Sequence, residues 1–284
     1  MELMIFSKPA QVQAQVLAWK REGLSVGLVP TMGYLHEGHA SLIKRAASQC
    51  DRVVVSVFVN PTQFGPNEDL EAYPRDFEHD KQLIAECGGD LVFAPTPTDM
   101  YLPGSATWVS VEGLTKELCG RSRPIHFRGV ATVVNKLFNI AQPDRAYFGQ
   151  KDAQQLAVIR RMVADLNMPV QVVGCPIVRE TDGLAKSSRN TYLNAQERQA
   201  ALVLSRALAQ GRSLLEKGET SVQTVVDCIT HTLQNEPLAR IDYVQAVDAD
   251  TIEPVNELKG TVLFAIAVYI GKTRLIDNFY WTVE

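Results

Sequence analysis

Two histidines three residues apart stand in Thr31-Met32-Gly33-Tyr34-Leu35-His36-Glu37-Gly38-His39, directly after the apolar run Val26 to Pro30. The run reads as a buried strand that turns through Gly33 into a helix starting around Gly38. Unpartnered amides at such a helix start, together with the helix dipole, favour an anion, and glycine lets the backbone approach it closely. Both imidazoles can then face the same phosphoryl oxygens, donating hydrogen bonds or charge as a pentacoordinate phosphorus develops. Far downstream, Lys186-Ser187-Ser188-Arg189 brings two hydroxyls and a guanidinium onto a flexible loop. That set suits departing phosphates, although taken alone it is equally a solvated turn. GxGxxG does not occur, which removes the common dinucleotide fingerprint.

Further polar groups fall at the carboxyl ends of strands, where open α/β sheets bind ligands. Asn60 and Gln63 follow the strand Arg52 to Val59. Neutral amides orient the hydroxyl and carboxylate oxygens of a small polar acid without a cation that would blunt its carboxylate as a nucleophile. Asn60-Pro61 also suits a helix cap or Asx turn. Lys151 and Asp152 lie between the strand Ala146 to Phe148 and the helix Ala153 to Asn167, with Gln155 in that helix's first turn. Asp152 reads as an N-cap too, and Lys151 as a surface lysine. Asp80, in the charged segment Asp76-Phe-Glu-His-Asp80-Lys, is a candidate ligand for a magnesium ion or a solvated carboxylate.

The elements that must position these groups alternate. Strands at Val26 to Pro30, Arg52 to Val59, Leu91 to Ala94, Ala146 to Phe148 and Val170 to Val173 are separated by amphipathic stretches at Ala40 to Ser48, Phe77 to Cys87, Val130 to Ala141 and Ala153 to Asn167. That rhythm predicts an α/β fold with a Rossmann-like parallel sheet and helices on both faces. After Asn194 two helices follow in succession, then strands at Ile241 to Val247, Thr261 to Tyr269 and Arg274 to Tyr280, which predicts a smaller α+β domain. The boundary is expected between Pro176 and Asp182, giving a nucleotide- and substrate-binding domain over 1–178 and a lid domain over 179–284 that carries the Lys186–Arg189 loop.

The 284 residues are 46% hydrophobic and 21% charged, which places the chain among globular proteins. A net charge of -4 without a dense Lys/Arg run argues against a nucleic-acid partner. The longest apolar run, Val262 to Ile270, falls well short of the roughly 20 residues of a membrane span, so no membrane partner is expected. Five widely spaced cysteines form no metal pattern and are expected as reduced thiols, fitting a cytoplasmic setting.

The His36–His39 segment resembles the HIGH signature of the class I aminoacyl-tRNA synthetase and nucleotidyltransferase superfamily, whose members cleave ATP between its α and β phosphates. Gly183-Leu-Ala-Lys186-Ser187-Ser188-Arg189-Asn190 is similar to that superfamily's KMSKS-type loop. Val57-Phe-Val-Asn60-Pro-Thr-Gln63-Phe-Gly, Tyr73-Pro-Arg, His126-Phe-Arg-Gly-Val, Tyr147-Phe-Gly149-Gln-Lys151-Asp152-Ala-Gln-Gln155 and Arg274-Leu-Ile-Asp-Asn resemble the pantothenate synthetase family. The resemblance implies that (R)-pantoate and ATP give pantoyl adenylate and pyrophosphate, after which β-alanine attacks to give pantothenate and AMP. It implies a homodimer, and magnesium bound with the triphosphate. Catalytic roles fall on His36, His39, Lys151 and Arg189. ATP contacts fall on Met32, Gly33, Tyr34, Leu35, His36, Glu37, Gly38, His39, Gly149, Gln150, Lys151, Asp152, Val178, Lys186, Ser187, Ser188 and Arg189. Pantoate and β-alanine contacts fall on Met32, Asn60, Gln63 and Gln155. The sequence departs from the family pattern at Gln150, usually Glu, at Ala153, often aromatic, and at Lys186, usually apolar. A related nucleotidyltransferase acting on another small substrate is the alternative reading.

Overall fold

The computed structural model describes residues 3–66 and 68–283. In chain order the elements are β1 (Met4–Phe6), α1 (Pro9–Arg21), β2 (Val26–Thr31), α2 (Glu37–Ala47), β3 (Arg52–Val57), α3 (Phe77–Glu86), β4 (Leu91–Phe93), α4 (Pro97–Met100), α5 (Cys119–Ser122), α6 (His126–Ala141), β5 (Arg145–Gly149), α7 (Ala153–Asp165), β6 (Gln171–Cys175), α8 (Ala195–Ala200), α9 (Leu202–Glu216), α10 (Val222–Gln234), β7 (Ala239–Asp248), β8 (Thr261–Ile270) and β9 (Thr273–Thr282). They divide into two compact units, the first built from Met1–Val111, Ile125–Gln150 and Val158–Pro176, the second from Glu112–Pro124, Lys151–Ala157 and Ile177–Glu284.

The first unit holds a parallel sheet in the order β1-β4-β3-β2-β5-β6. Val29, Val53, Val55, Val92 and Tyr147 pack with Leu42 and Ile43 of α2 and Ile84 of α3. Their strand neighbours Leu28, Val54, Leu91, Phe93, Ala146 and Phe148 are buried as well. Successive strand side chains point to opposite faces, so burial of both sets requires cover on both sides, which is why these strands read as continuous apolar runs. The chain reverses its direction of winding between β2 and β5. Thr31 and Gly149 therefore close neighbouring strands at the switch point where doubly wound sheets bind ligands. The short edge strand β1 and helix α1, whose Val12, Val16 and Trp19 are buried, add to the elements expected from the sequence.

The second unit carries an antiparallel sheet, β7-β8-β9. Phe264, Ile266 and Val268 on one face of β8 pack with Leu204 and Leu208 of α9 and Val225 and Ile229 of α10. The helical stretch after Asn194 is interrupted at Ala201, giving α8 and α9 in place of one helix.

Candidate active site

In the first unit, β2 ends at Thr31, and two residues with positive φ, Gly33 at +85° and Tyr34 at +53°, turn the chain into α2. Tyr34 tolerates this conformation because its amide is held from outside. Asp80 of α3 accepts from the amides of Tyr34 at 2.9 Å and Leu35 at 2.6 Å. His79 Nε2 lies 3.2 Å from the Leu35 carbonyl. A Cβ on Gly33 would come to 3.0 Å from Asp80 Oδ2 and 3.1 Å from Val57 Cγ1, so a side chain there would crowd the bracing carboxylate as well as strain the positive φ. Burial pushes the Asp80 carboxyl up from its usual range, opposed by those two amide bonds. Asp80, expected as a magnesium ligand or a solvated carboxylate, is thus 1% exposed and occupied with the backbone of this turn.

His36 is the N-cap of α2. Its Nδ1 accepts from the Gly38 amide at 3.1 Å, while His39 Nδ1 accepts from the His36 amide at 3.3 Å. A nitrogen that accepts carries no proton, so each neutral ring carries its proton on Nε2. The centroids lie 4.2 Å apart with the planes tilted by 40°, which makes the pair a tandem of Nε2–H donors at a helix N-terminus. Met32 and both histidines are half-buried, while Glu37 is exposed.

The amide pair at the end of β3 divides its work. Asn60 is 1% exposed, and its Oδ1 accepts from the Thr62 amide, the Thr62 hydroxyl and the Tyr101 hydroxyl, the last at 2.8 Å. Its Nδ2 donates to Gln63 Oε1 at 3.1 Å and to the Gly129 carbonyl at 3.2 Å. Every donor and acceptor of Asn60 is therefore engaged within the protein, as expected of the residue that caps this turn. Its bond fixes which way the Gln63 amide faces, sending Gln63 Nε2 toward Met32 Sδ at 2.9 Å. His126, at the start of α6, adds a ring nitrogen 2.9 Å from the Gln63 carbonyl. A Cβ at Gly129 would collide with the Thr62 carbonyl oxygen, so only glycine lets α6 support the turn. His126 and Gly129 lie in a motif visible in the sequence, but a contact spanning more than sixty residues leaves no local signal of their task.

In the second unit, Lys151 Nζ lies 3.2 Å from Asp152 Oδ2 just before α7. The tandem glutamines that follow differ sharply. Gln154, 5% exposed, donates to the carbonyls of Leu114 and Glu117, both at 2.8 Å, and accepts from the Cys119 amide at 2.9 Å. Gln155 is half-buried and makes no side-chain hydrogen bond among the described residues, which leaves its amide open to a ligand. Sequence reasoning passes over Gln154, and nothing in composition separates the two.

The loop expected to be flexible begins as a hairpin. Lys186 donates its amide to Val178 at 2.9 Å, Glu180 to Leu184 at 2.8 Å and Gly183 to Glu180 at 2.9 Å. Asn190 Nδ2 and Arg198 hold Glu180 at 2.9 and 2.8 Å. Burial pushes the Glu180 carboxyl up, but these bonds and the Arg198 charge outweigh it and hold it below the usual range. Ser187 caps a short 3-10 turn, Ser188–Tyr192, by accepting from the Arg189 amide at 3.3 Å, and Ser188 is buried. Gly149 closes β5 in the first unit and Gln150 opens the 3-10 turn that follows, and Lys186, Ser187 and Arg189 of the second unit are half-buried.

A family model for pantoate-beta-alanine ligases matches residues 4–280. The pantothenate synthetase of Heliobacterium modesticaldum is 62% identical over 268 residues, 93% of this chain and 95% of that protein. Among solved structures, pantothenate synthetase from Thermus thermophilus is 48% identical with a TM-score of 0.93, covering 98% of this chain and 99% of its own. Pantoate-beta-alanine ligase from Francisella tularensis, complexed with beta-gamma ATP and beta-alanine, is 35% identical with a TM-score of 0.81 over 98% of this chain and 97% of its own. A strand-to-helix junction bearing two imidazole donors, a paired-amide turn and the extent of these matches agree: the chain belongs to the pantoate-beta-alanine ligase family.

Proposed function

We propose that the protein condenses (R)-pantoate with β-alanine at the expense of ATP, by way of pantoyl adenylate. A pantoate carboxylate oxygen attacks the α-phosphorus in line, and the bond from that phosphorus to the bridging oxygen of the β-phosphate breaks to release pyrophosphate. The β-alanine amine then attacks the acyl carbon, AMP leaves, and the amine loses a proton. The observation that carries this reading is the tandem of Nε2–H donors from His36 and His39 at the start of α2, aimed by backbone bonds to their Nδ1 atoms. Preorganised donors of this kind stabilise charge that develops on phosphoryl oxygens without reorganising during the reaction.

In the proposed assignment Lys151 and Arg189 share that charge, Ser187 and Ser188 grip the departing phosphates, and Asp152 faces the ribose. Gln63 and Gln155 orient pantoate, while Asn60 and Asp80 hold the groups that do so. No cluster of three or more His, Cys, Asp or Glu among the described residues is arranged for a metal ion. With Asp80 occupied by amides, magnesium is assigned to the ATP substrate, where metal–phosphate bonds neutralise the triphosphate. The five free cysteines accord with a reducing cytoplasm. A homodimer follows from the family resemblance, and light scattering on the purified chain tests it.

Release of AMP and pyrophosphate should require pantoate, and formation of the amide should require β-alanine. Folded protein whose ATP cleavage pantoate does not stimulate would return the assignment to a nucleotidyltransferase of different substrate.

A further inference from the structure

Arg274-Leu275-Ile276-Asp277-Asn278 on β9 carries three polar residues that the proposed reaction does not use. Asp277 is 2% exposed and Asn278 3%. Asp277 receives a two-pronged bond from Arg179, Nη1 to Oδ2 at 2.7 Å and Nη2 to Oδ1 at 2.9 Å. The same guanidinium donates to the Gly183 carbonyl at 3.1 Å, so it ties the hairpin's tip while Asp277 anchors its base. That hairpin runs directly into Lys186-Ser187-Ser188-Arg189. The next residue, Asn278, donates Nδ2 to the backbone carbonyl of Lys151 at 2.9 Å. Asp277 Oδ1 also accepts the Asn278 amide at 2.8 Å, which links the two anchors to each other.

We propose that Asp277 and Asn278 are positioning residues for the nucleotide: one short piece of β9 fixes both backbone segments that carry phosphate-directed cations, Lys151 through its carbonyl and Arg189 through the Arg179 hairpin. Neither side chain acts on the reacting atoms. A fork of two charge-assisted bonds specifies orientation as well as distance, and a buried amide on a carbonyl holds the lysine's backbone without engaging its ammonium. The inference rests on the ATP-dependent reading above and deepens it.

Asn278→Ala is expected to weaken ATP binding, read by equilibrium titration, and to slow pantoate-dependent pyrophosphate release by about tenfold, with the KM for β-alanine moved less than about twofold. In a Lys151→Met background the same substitution should change ATP affinity by less than about twofold, because the group it positions is already gone. A merely structural asparagine would cost the same in both backgrounds, and that result, or an Asn278→Ala enzyme like the wild type, overturns the proposal. Asn278→Ser, read identically, replaces the alanine variant if that one does not fold. For the other anchor, Arg179→Lys keeps the charge and loses the fork; its penalty on ATP affinity should shrink once Arg189→Ala is present, and strict additivity overturns the hairpin half. An unmutated enzyme without pantoate-dependent pyrophosphate release would instead overturn the functional reading, so the two failures are distinguishable.

Discussion

Because the Nδ1 atoms of His36 and His39 are taken by backbone amides, the two jobs of His36 can be separated. Asparagine is a favoured N-cap whose Oδ1 can replace Nδ1, but it offers no donor at the Nε2 position. His36→Asn should keep thermal stability near that of the wild type while adenylate formation falls, whereas His36→Ala should lose both, with about 1 kcal/mol of stability for the cap. His39→Ala should slow pyrophosphate release by at least about a hundredfold, and a near-normal rate would remove it from charge stabilisation. Asp80 supplies a pH-dependent counterpart. Desolvation raises its folded pKa, so the native state takes up a proton at a higher pH than the unfolded chain. Stability therefore rises as pH falls through the raised folded value and stops rising near about 3.9, the ordinary carboxylate value. Denaturant titrations of the wild type against Asp80→Asn should show the wild type gaining over that window; a difference constant with pH would mean burial does not dominate at this carboxyl. The identity of His36, His39, Gln63 and Asp80 as polar groups worth attention was legible in the sequence. The amide bonds that define what Asp80 does join residues 45 and 46 positions apart, and no local pattern encodes them.

Elements rather than single side chains decide how the amide turn is held. Gly129 of α6 meets the Thr62 carbonyl so closely that Gly129→Ala must push the helix or the turn away. Overpacking of this kind costs about 1–3 kcal/mol or more, and here the obstructing atom is backbone. The expected outcome is a lower thermal midpoint together with a raised KM for pantoate and a less affected KM for ATP, since Gln63 rides on the displaced turn. Sequence reading finds β2 to β5 and β8 because each buries an apolar run, and β6, β7 and β9, which are only partly buried, through their β-branched and aromatic content. It misses β1, whose three residues are too few to show a period, and α1, which opens in a polar stretch with Pro9 at its first turn. It also begins α6 four residues late, since His126 to Gly129 look like loop until their contacts with the turn are seen.

At the scale of the molecule, ligand binding and folding are coupled by mass action. ATP at a hundred times its Kd should add about 2.7 kcal/mol to the stability of a protein that binds it only when folded. Calorimetric scans with and without ATP should show that gain, and Lys151→Met should reduce it; equal midpoints in all cases would argue against a nucleotide site. The change of element rhythm after Asn194 falls inside the second unit, whose long segment begins at Ile177. The short pieces Glu112–Pro124 and Lys151–Ala157 that join it carry no compositional break, and their membership depends on bonds such as those from Gln154. The pairing of β2 with β5 has one more consequence. Gly27 lies beside Arg145, so the ribosome must add more than a hundred residues after the first strand of the switch point before its partner exists. At about 5–20 residues per second, that interval lasts roughly 6–24 s. Throughout it the nascent chain holds an apolar β2 edge with no β5 to cover it, which makes this stretch of synthesis the period when a holdase chaperone would matter most.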